Sequence, residues 1–244
     1  MNARLETTEP GAMALNAEQA IGQIAVELPG ATAVFRRLKL DFCCGGQVSL
    51  KQAAADKGLD LSAILAELAA LQRSSDVPAL TEPGELIDHI LARYHDVHRA
   101  QLPELIRMAH RVEAVHRAHP QVPAGLGDFL EGMQEELLSH MQKEETILFP
   151  ILKKGGNSFV SQPIKVMRFE HVDHGVALEK LAELTHEATP PEDACNTWRA
   201  LYAGIAQLND DLINHIHLEN NVLFPQFEAE AISSGCGSSG CGCG

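Results

Sequence analysis

Two stretches of the sequence set a histidine four residues before a glutamate and a Leu-Phe-Pro triplet shortly after it. His140-x3-Glu144-x3-Leu148-Phe149-Pro150 recurs as His215-x3-Glu219-x3-Leu223-Phe224-Pro225, at an offset of 75 residues. Residues i and i+4 of a helix share a face, so each pair presents an imidazole beside a carboxylate. The rest of that face is apolar: Leu130, Met133, Leu137, Leu148 and Ile151 in the first stretch, and Leu201, Ile205, Leu208, Leu212 and Val222 in the second. Both polar pairs therefore point into a core. The repeat indicates a duplicated helical hairpin, which demands an equivalent residue from the first helix of each copy. His95 lies 45 residues before His140, and His171 lies 44 before His215. Each falls on a face shared with apolar residues, Leu91 and Leu102 for the one, Ile164, Met167 and Leu178 for the other.

Two buried carboxylates without positive partners would cost several kcal/mol each, and these faces carry no Lys or Arg at that level. A metal pair removes the difficulty. Neutral imidazole with carboxylate suits iron, so the expected ligands are His95, His140, Glu144, His171, His215 and Glu219, with both glutamates bridging two non-haem iron ions. An added oxo or hydroxo bridge leaves about one position per ion for O2, NO or water. His174 and His98 are further candidates, weighed against plain core packing. His116 lies 21 residues beyond His95, roughly 31 Å along a straight helix, and is out of reach. Glu113-x2-His116 and Glu183-x2-His186 fit a ferritin-like pattern, but that site needs glutamates on the other helices too, and the fourth helix has none between Asp193 and Glu219. Glu136 and Glu170 read as solvated helix acids, with orientation of a ligand as the alternative.

The elements that must hold this set are delimited by the breaks in the chain. Residues 84–118, 125–153, 163–188 and 192–230 read as long helices, separated by His119-Pro120 to Gly127, by Gly155-Gly156-Asn157, and by Pro190-Pro191. Such short connections join antiparallel neighbours, which gives an up-down-up-down four-helix bundle over residues 84–231. Upstream, residues 15–72 form a small helical domain whose first helix opens at Asn16 with Gln19 and whose third is capped by Ser49. Its Asp41-Phe42-Cys43-Cys44-Gly45-Gly46 segment is a loop by its glycines. Residues 1–14 are a polar lead-in, 73–83 a linker, and 232–244 (ISSGCGSSGCGCG) a flexible tail. The chain is all-α: aromatics are 5% of its 244 residues, and Ala, Leu and Ile sit among Glu, Gln and Arg.

Thirty-three acids against nineteen Lys and Arg give a formal charge of -14, which excludes a general nucleic-acid surface. No apolar run approaches the roughly 18 residues needed to span a bilayer, and the start lacks the basic and apolar regions of a signal peptide. A cytoplasmic protein is expected. The vicinal Cys43 and Cys44 do not fit a zinc pattern; a reactive or transiently metal-binding thiol pair is expected there, and Cys195 reads as an inert helix residue.

Taken together, Asp41 to Gly46 in a small helical domain, Arg93-Tyr94-His95, His140-x3-Glu144-Glu145, Glu170-His171 and His215-x3-Glu219-Asn220-Asn221 resemble the repair-of-iron-centres family, of the YtfE, ScdA, DnrN and NorA type. The resemblance covers residues 15–230. It implies a hemerythrin-like, cytoplasmic di-iron protein, often a homodimer, made under nitrosative or oxidative stress and needed to restore damaged iron-sulfur proteins. It carries metal roles to the six residues above and a functional role to Cys43 and Cys44. The tail departs from the family pattern. The expected activity is donation of iron by a repair protein, rather than the turnover of a classical enzyme. Reversible capture of NO, or reduction of nitrite or NO, would use the same ligands.

Overall fold

The computed structural model describes residues 15–28, 30–72 and 82–228. The expected lead-in (1–14), nearly all of the linker and the tail lie outside the described residues. The chain divides into two compact units, Met1–Pro78 and Ala79–Gly244. Helices dominate both, and among the described residues the only β pairing is a single bridge between Ala20 and Ser49.

The first unit contains α1 (Ile21–Glu27), α2 (Ala31–Arg37), α3 (Leu50–Asp56) and α4 (Leu61–Gln72). They close over a core of Ile21, Ile24, Phe35, Phe42, Leu50 and Leu68, with the Phe35 and Phe42 rings 5.8 Å apart. Asn16 does not open a helix. Its side chain accepts from the Glu18 N–H at 3.0 Å and its carbonyl from the Gln19 N–H, forming a turn. The first N–H groups of α1 go instead to the loop before α3: Ile21 N donates to Val48 O at 2.9 Å and Gly22 N to Gly46 O at 2.8 Å. The Cys43-Cys44 segment is thus tied at its far end to a helix N-terminus. Ser49 caps α3 as expected, its Oγ accepting from Gln52 N at 3.2 Å.

The second unit is a bundle of α5 (83–116), α6 (126–152), α7 (Ser161–Leu184) and α8 (196–223). Each helix packs on the two beside it, in the ring order of an antiparallel up-down bundle. Gly204 lets α8 close on α5, because a Cβ there would meet Leu105 Cδ2 at 2.6 Å. The third helix ends earlier than its sequence pattern suggests. His186, Glu187 and Ala188 have φ of 49°, 58° and 53°, and Thr185 Oγ accepts from Ala188 N at 3.1 Å, so this turn is left-handed before Pro190 and Pro191.

Three bundle helices contain a widened turn, with i to i−5 hydrogen bonds, at Leu91–His95, Glu144–Leu148 and Leu218–Leu223. In these turns Asp96 N donates to Leu91 O, Phe149 N to Glu144 O and Phe224 N to Glu219 O. The extra residue rotates the next stretch of helix, so Phe149 and Leu152 enter the core while Ile151 is only partly buried. Likewise Leu223 and Phe224 are buried where the simple period places Val222.

Candidate metal centre

The six residues with the expected spacing meet at one level of the bundle. His95, His140, Glu144, His171, His215 and Glu219 are each no more than 1% exposed. Their donor atoms form two groups of four: His95, Glu144, His215 and Glu219, and His140, Glu144, His171 and Glu219. Within each group the donor atoms lie within 4.8 Å of one another, and both glutamates belong to both groups. The oxygens of each carboxylate divide between them. Glu144 Oε2 faces His95 Nε2 and Oε1 faces His140 Nε2, both at 3.4 Å. Glu219 Oε1 is 3.1 Å from His215 Nε2 and Oε2 is 3.0 Å from His171 Nε2.

The outer ring nitrogens fix what the inner ones can do. His95 Nδ1 is 2.7 Å from Glu145 Oε1, which Arg99 also holds at 2.7 Å. His140 Nδ1 is 2.8 Å from Glu170 Oε2, whose other oxygen takes the Lys143 ammonium. His171 Nδ1 is 2.9 Å from the Asn220 Oδ1 acceptor. Oxygen acceptors at these three positions require Nδ1–H, so in the neutral rings Nε2 carries a lone pair. Two such lone pairs then face each other across 3.2 Å, on His140 and His171, and His95 Nε2 faces His215 Nε2 at 3.1 Å. Both Glu144 oxygens and Glu219 Oε2 are buried without a hydrogen bond. Opposed lone pairs beside unsatisfied carboxylate oxygens form a cradle for cations, so the residues present fit a metal.

The proton affinities of these side chains have their cause in the same packing. Burial works against ionisation of Glu144, and Glu219 beside it adds repulsion, but His140 and His95 still hold its carboxyl below the usual range. Glu219, buried but set between His215 and His171, is held well below. Burial opposes a charge on His140, yet Glu144, Glu219 and Glu170 carry it up to about 9. His95 is raised for the same reasons by Glu144, Glu219 and Glu145. His215 goes the other way, lowered by its burial.

The further histidines stand aside from the donor groups. His98 and His174 are buried, and burial pushes them down to about 2 and about 3, so both are neutral. The His174 ring meets His140 edge-on at 5.0 Å and His98 lies 5.5 Å from the His215 ring. His116 is with Cys195 (3.2 Å) and Trp198, away from the centre. Cys195, expected as an inert helix residue, is the N-cap position of α8, with its sulfur against that imidazole.

Glu170 orients a histidine, and Glu145 and Asn220, which the spacing alone does not single out, do the same. A signal for them was present. Glu145 and Asn220 are related by the 75-residue offset of the repeat, each following the shared glutamate and each holding Nδ1 of the histidine from the preceding helix.

In the first unit Cys43 and Cys44 are partly exposed thiols, not joined in a disulfide, with sulfurs 3.6 Å apart. Asp41 organises the loop: Oδ1 accepts from Cys44 N at 2.9 Å and from the Cys43 thiol at 3.4 Å, and Oδ2 from Gly45 N at 2.9 Å. The adjacent Cys44 thiol, burial and the Asp41 charge all push the Cys43 thiol up, so at neutral pH Cys43 is protonated.

Four antiparallel helices around a shared set of four histidines and two glutamates define a hemerythrin-like, cation-binding protein. Residues 86–227 match the family model described as Hemerythrin HHE cation binding domain, and residues 17–72 match ScdA_N, a domain of unknown function (DUF542). The chain is 51% identical over 211 residues to the iron-sulfur cluster repair protein YtfE of Citrobacter koseri, across 86% of this chain and 96% of that one. It is 48% identical over 212 residues to YtfE of Dickeya chrysanthemi and 50% identical over 211 to that of Escherichia coli, with the same coverage. The chain belongs to the YtfE family of hemerythrin-domain proteins.

Proposed function

We propose that this chain is a non-haem di-iron protein that repairs iron-sulfur clusters damaged by nitrosative or oxidative stress, and that it does so by giving up iron. The carrying observation is the pair of four-residue donor groups that share Glu144 and Glu219, with three of the four carboxylate oxygens buried and unbonded. The relatives named as iron-sulfur cluster repair proteins support the same reading. In this reading His95 and His215 would hold one ion and His140 and His171 the other, Glu144 and Glu219 would serve both, and an oxo or hydroxo group would complete the pair. When bound, such a centre supplies ferrous ions for transfer and an open position for NO or O2. Six neutral or carboxylate donors hold ferrous iron less firmly than a thiolate cage, which makes release feasible.

Cys43 and Cys44 are proposed to meet the damaged partner, as a partly exposed dithiol that can touch a cluster iron. We place the protein in the cytoplasm, a reducing compartment that keeps such cysteines as thiols. No helix among the described residues is long and apolar enough to cross a membrane. A homodimer is proposed as the working form.

The test is reconstitution of an apo iron-sulfur protein by the iron-loaded chain. Cluster formation is expected with the native chain and not with a His140→Ala, Glu144→Ala variant; equal repair by both would take the buried centre out of the mechanism. Stoichiometric NO capture with all iron retained would instead favour a scavenger.

A further inference from the structure

The duplication that builds the centre is not perfect, and the departure falls on one ligand. Glu170 directly precedes His171 and accepts from Nδ1 of His140 at 2.8 Å. The residue in the corresponding place of the first hairpin, directly before His95, is Tyr94. Tyr94 lies against His215, the counterpart of His140, with the rings stacked at 5.4 Å and 3° between planes. A stacked ring offers Nδ1 no acceptor, and His215 Nδ1 is buried with no hydrogen-bond partner among the described residues. The His140/His171 half therefore has both imidazoles held from behind, by Glu170 and Asn220. The His95/His215 half has only His95 held, by Glu145, which pairs with Arg99 as Glu170 pairs with Lys143, so the difference between the halves is the missing acceptor behind His215.

We propose that the two metal positions are unequal, and that the ion at His95 and His215 is the one given up, because Tyr94 stands where Glu170 stands in the other half. The inference rests on the proposed di-iron function and adds which ion is cargo and which is retained. An acceptor behind a ligating imidazole raises its basicity and fixes its orientation, and losing one costs about 10- to 100-fold in metal affinity. Tyr94 is thus a positioning residue: it holds the His215 ring flat while withholding the acceptor.

The full chain, loaded anaerobically with ferrous ion, is mixed with excess chromogenic ferrous chelator and iron release is followed. Two phases of equal amplitude are expected, with rates about 10- to 100-fold apart. Glu170→Gln, a change of a partly exposed side chain, should speed the slow phase and leave the fast one. Glu145→Gln should act on the fast phase alone. Tyr94→Glu should slow the fast phase, and Tyr94→Gln does so more weakly if the glutamate prevents folding. Release of both ions in a single phase from the native chain overturns the inference, as does Glu170→Gln acting on the fast phase. A chain that binds no iron overturns the proposed function and the inference with it. Two phases without rebuilding of an apo cluster overturn iron donation while leaving two unequal positions in place.

Discussion

At the scale of single residues, the shared glutamates and the unshared histidines should behave differently. Glu144 faces one donor group with each oxygen, so Glu144→Gln weakens both metal positions at once. His171 belongs to one group only. Metal analysis after gel filtration is therefore expected to find about two ions per chain in the native protein, about one in His171→Ala, and fewer than one in Glu144→Gln. Loss of a single ion from Glu144→Gln would argue against bridging. The titration of His140 adds a pH dependence. In the metal-free protein its folded-state value is raised to about 9 by Glu144, Glu219 and Glu170 against the pull of burial, so below that pH an incoming cation must displace a proton. Affinity should rise as pH increases from 6.5 to about 9 and level off above it, and binding at pH 7 should release protons measurable with an indicator dye. An affinity that is flat across this window would mean that binding displaces no proton from His140.

At the scale of elements, the sequence period carried the site but not its surroundings. Histidine and glutamate four apart, repeated at 75 residues, fixed both donor pairs because the helix is regular up to Glu144 and nearly so up to Glu219. Beyond each glutamate the i to i−5 turn breaks the period, so Ile151 and Val222, on the inward stripe by count, yield their places to Phe149, Leu152, Leu223 and Phe224. A widened turn leaves no mark in hydrophobic spacing, since it adds a residue without changing residue type. The prolines after these turns are intelligible afterwards. Continuation of the wide turn at Pro225 would need an N–H for Asn220 O, which proline lacks, and Arg168 Nη2 donates to that carbonyl at 3.0 Å while also pairing with Glu228 at 2.9 Å. Arg168 thereby joins α7 to the turn that carries Glu219, and its guanidinium lies over the Phe224 ring at 5.6 Å. Arg168→Met leaves a buried carbonyl without its donor, an expected cost of about 1–3 kcal/mol. Urea unfolding should show a lower midpoint with an unchanged slope. A midpoint equal to the native one would show that the carbonyl is satisfied without the arginine.

At the scale of the whole molecule, α7 has two working faces. Ile164, Met167, His171, His174, Leu178 and Leu181 turn into the bundle. On the opposite side Val166, Phe169, Val172 and Val176 are 48%, 68%, 51% and 61% exposed, an apolar face three helical turns long. No other bundle helix exposes four such side chains among the described residues. This face is where the proposed homodimer would close. Set antiparallel to its own copy with the twofold axis at Phe169, the helix would bring Val166 to Val172 of the other chain and Lys165 to Asp173, an apolar centre flanked by ion pairs of opposite sign. The two copies each carry a formal charge of -14 and repel at long range, which salt screens, whereas the apolar contact is indifferent to moderate salt. Association is therefore expected to strengthen between about 0.01 and 0.15 M salt, as the screening length falls from roughly 30 to 8 Å. Phe169→Glu would bring two carboxylates together on the axis. Sedimentation equilibrium should then find a monomer that still binds its metal ions, because residue 169 faces away from His171; a dimer that survives the substitution would place the seam on another helix.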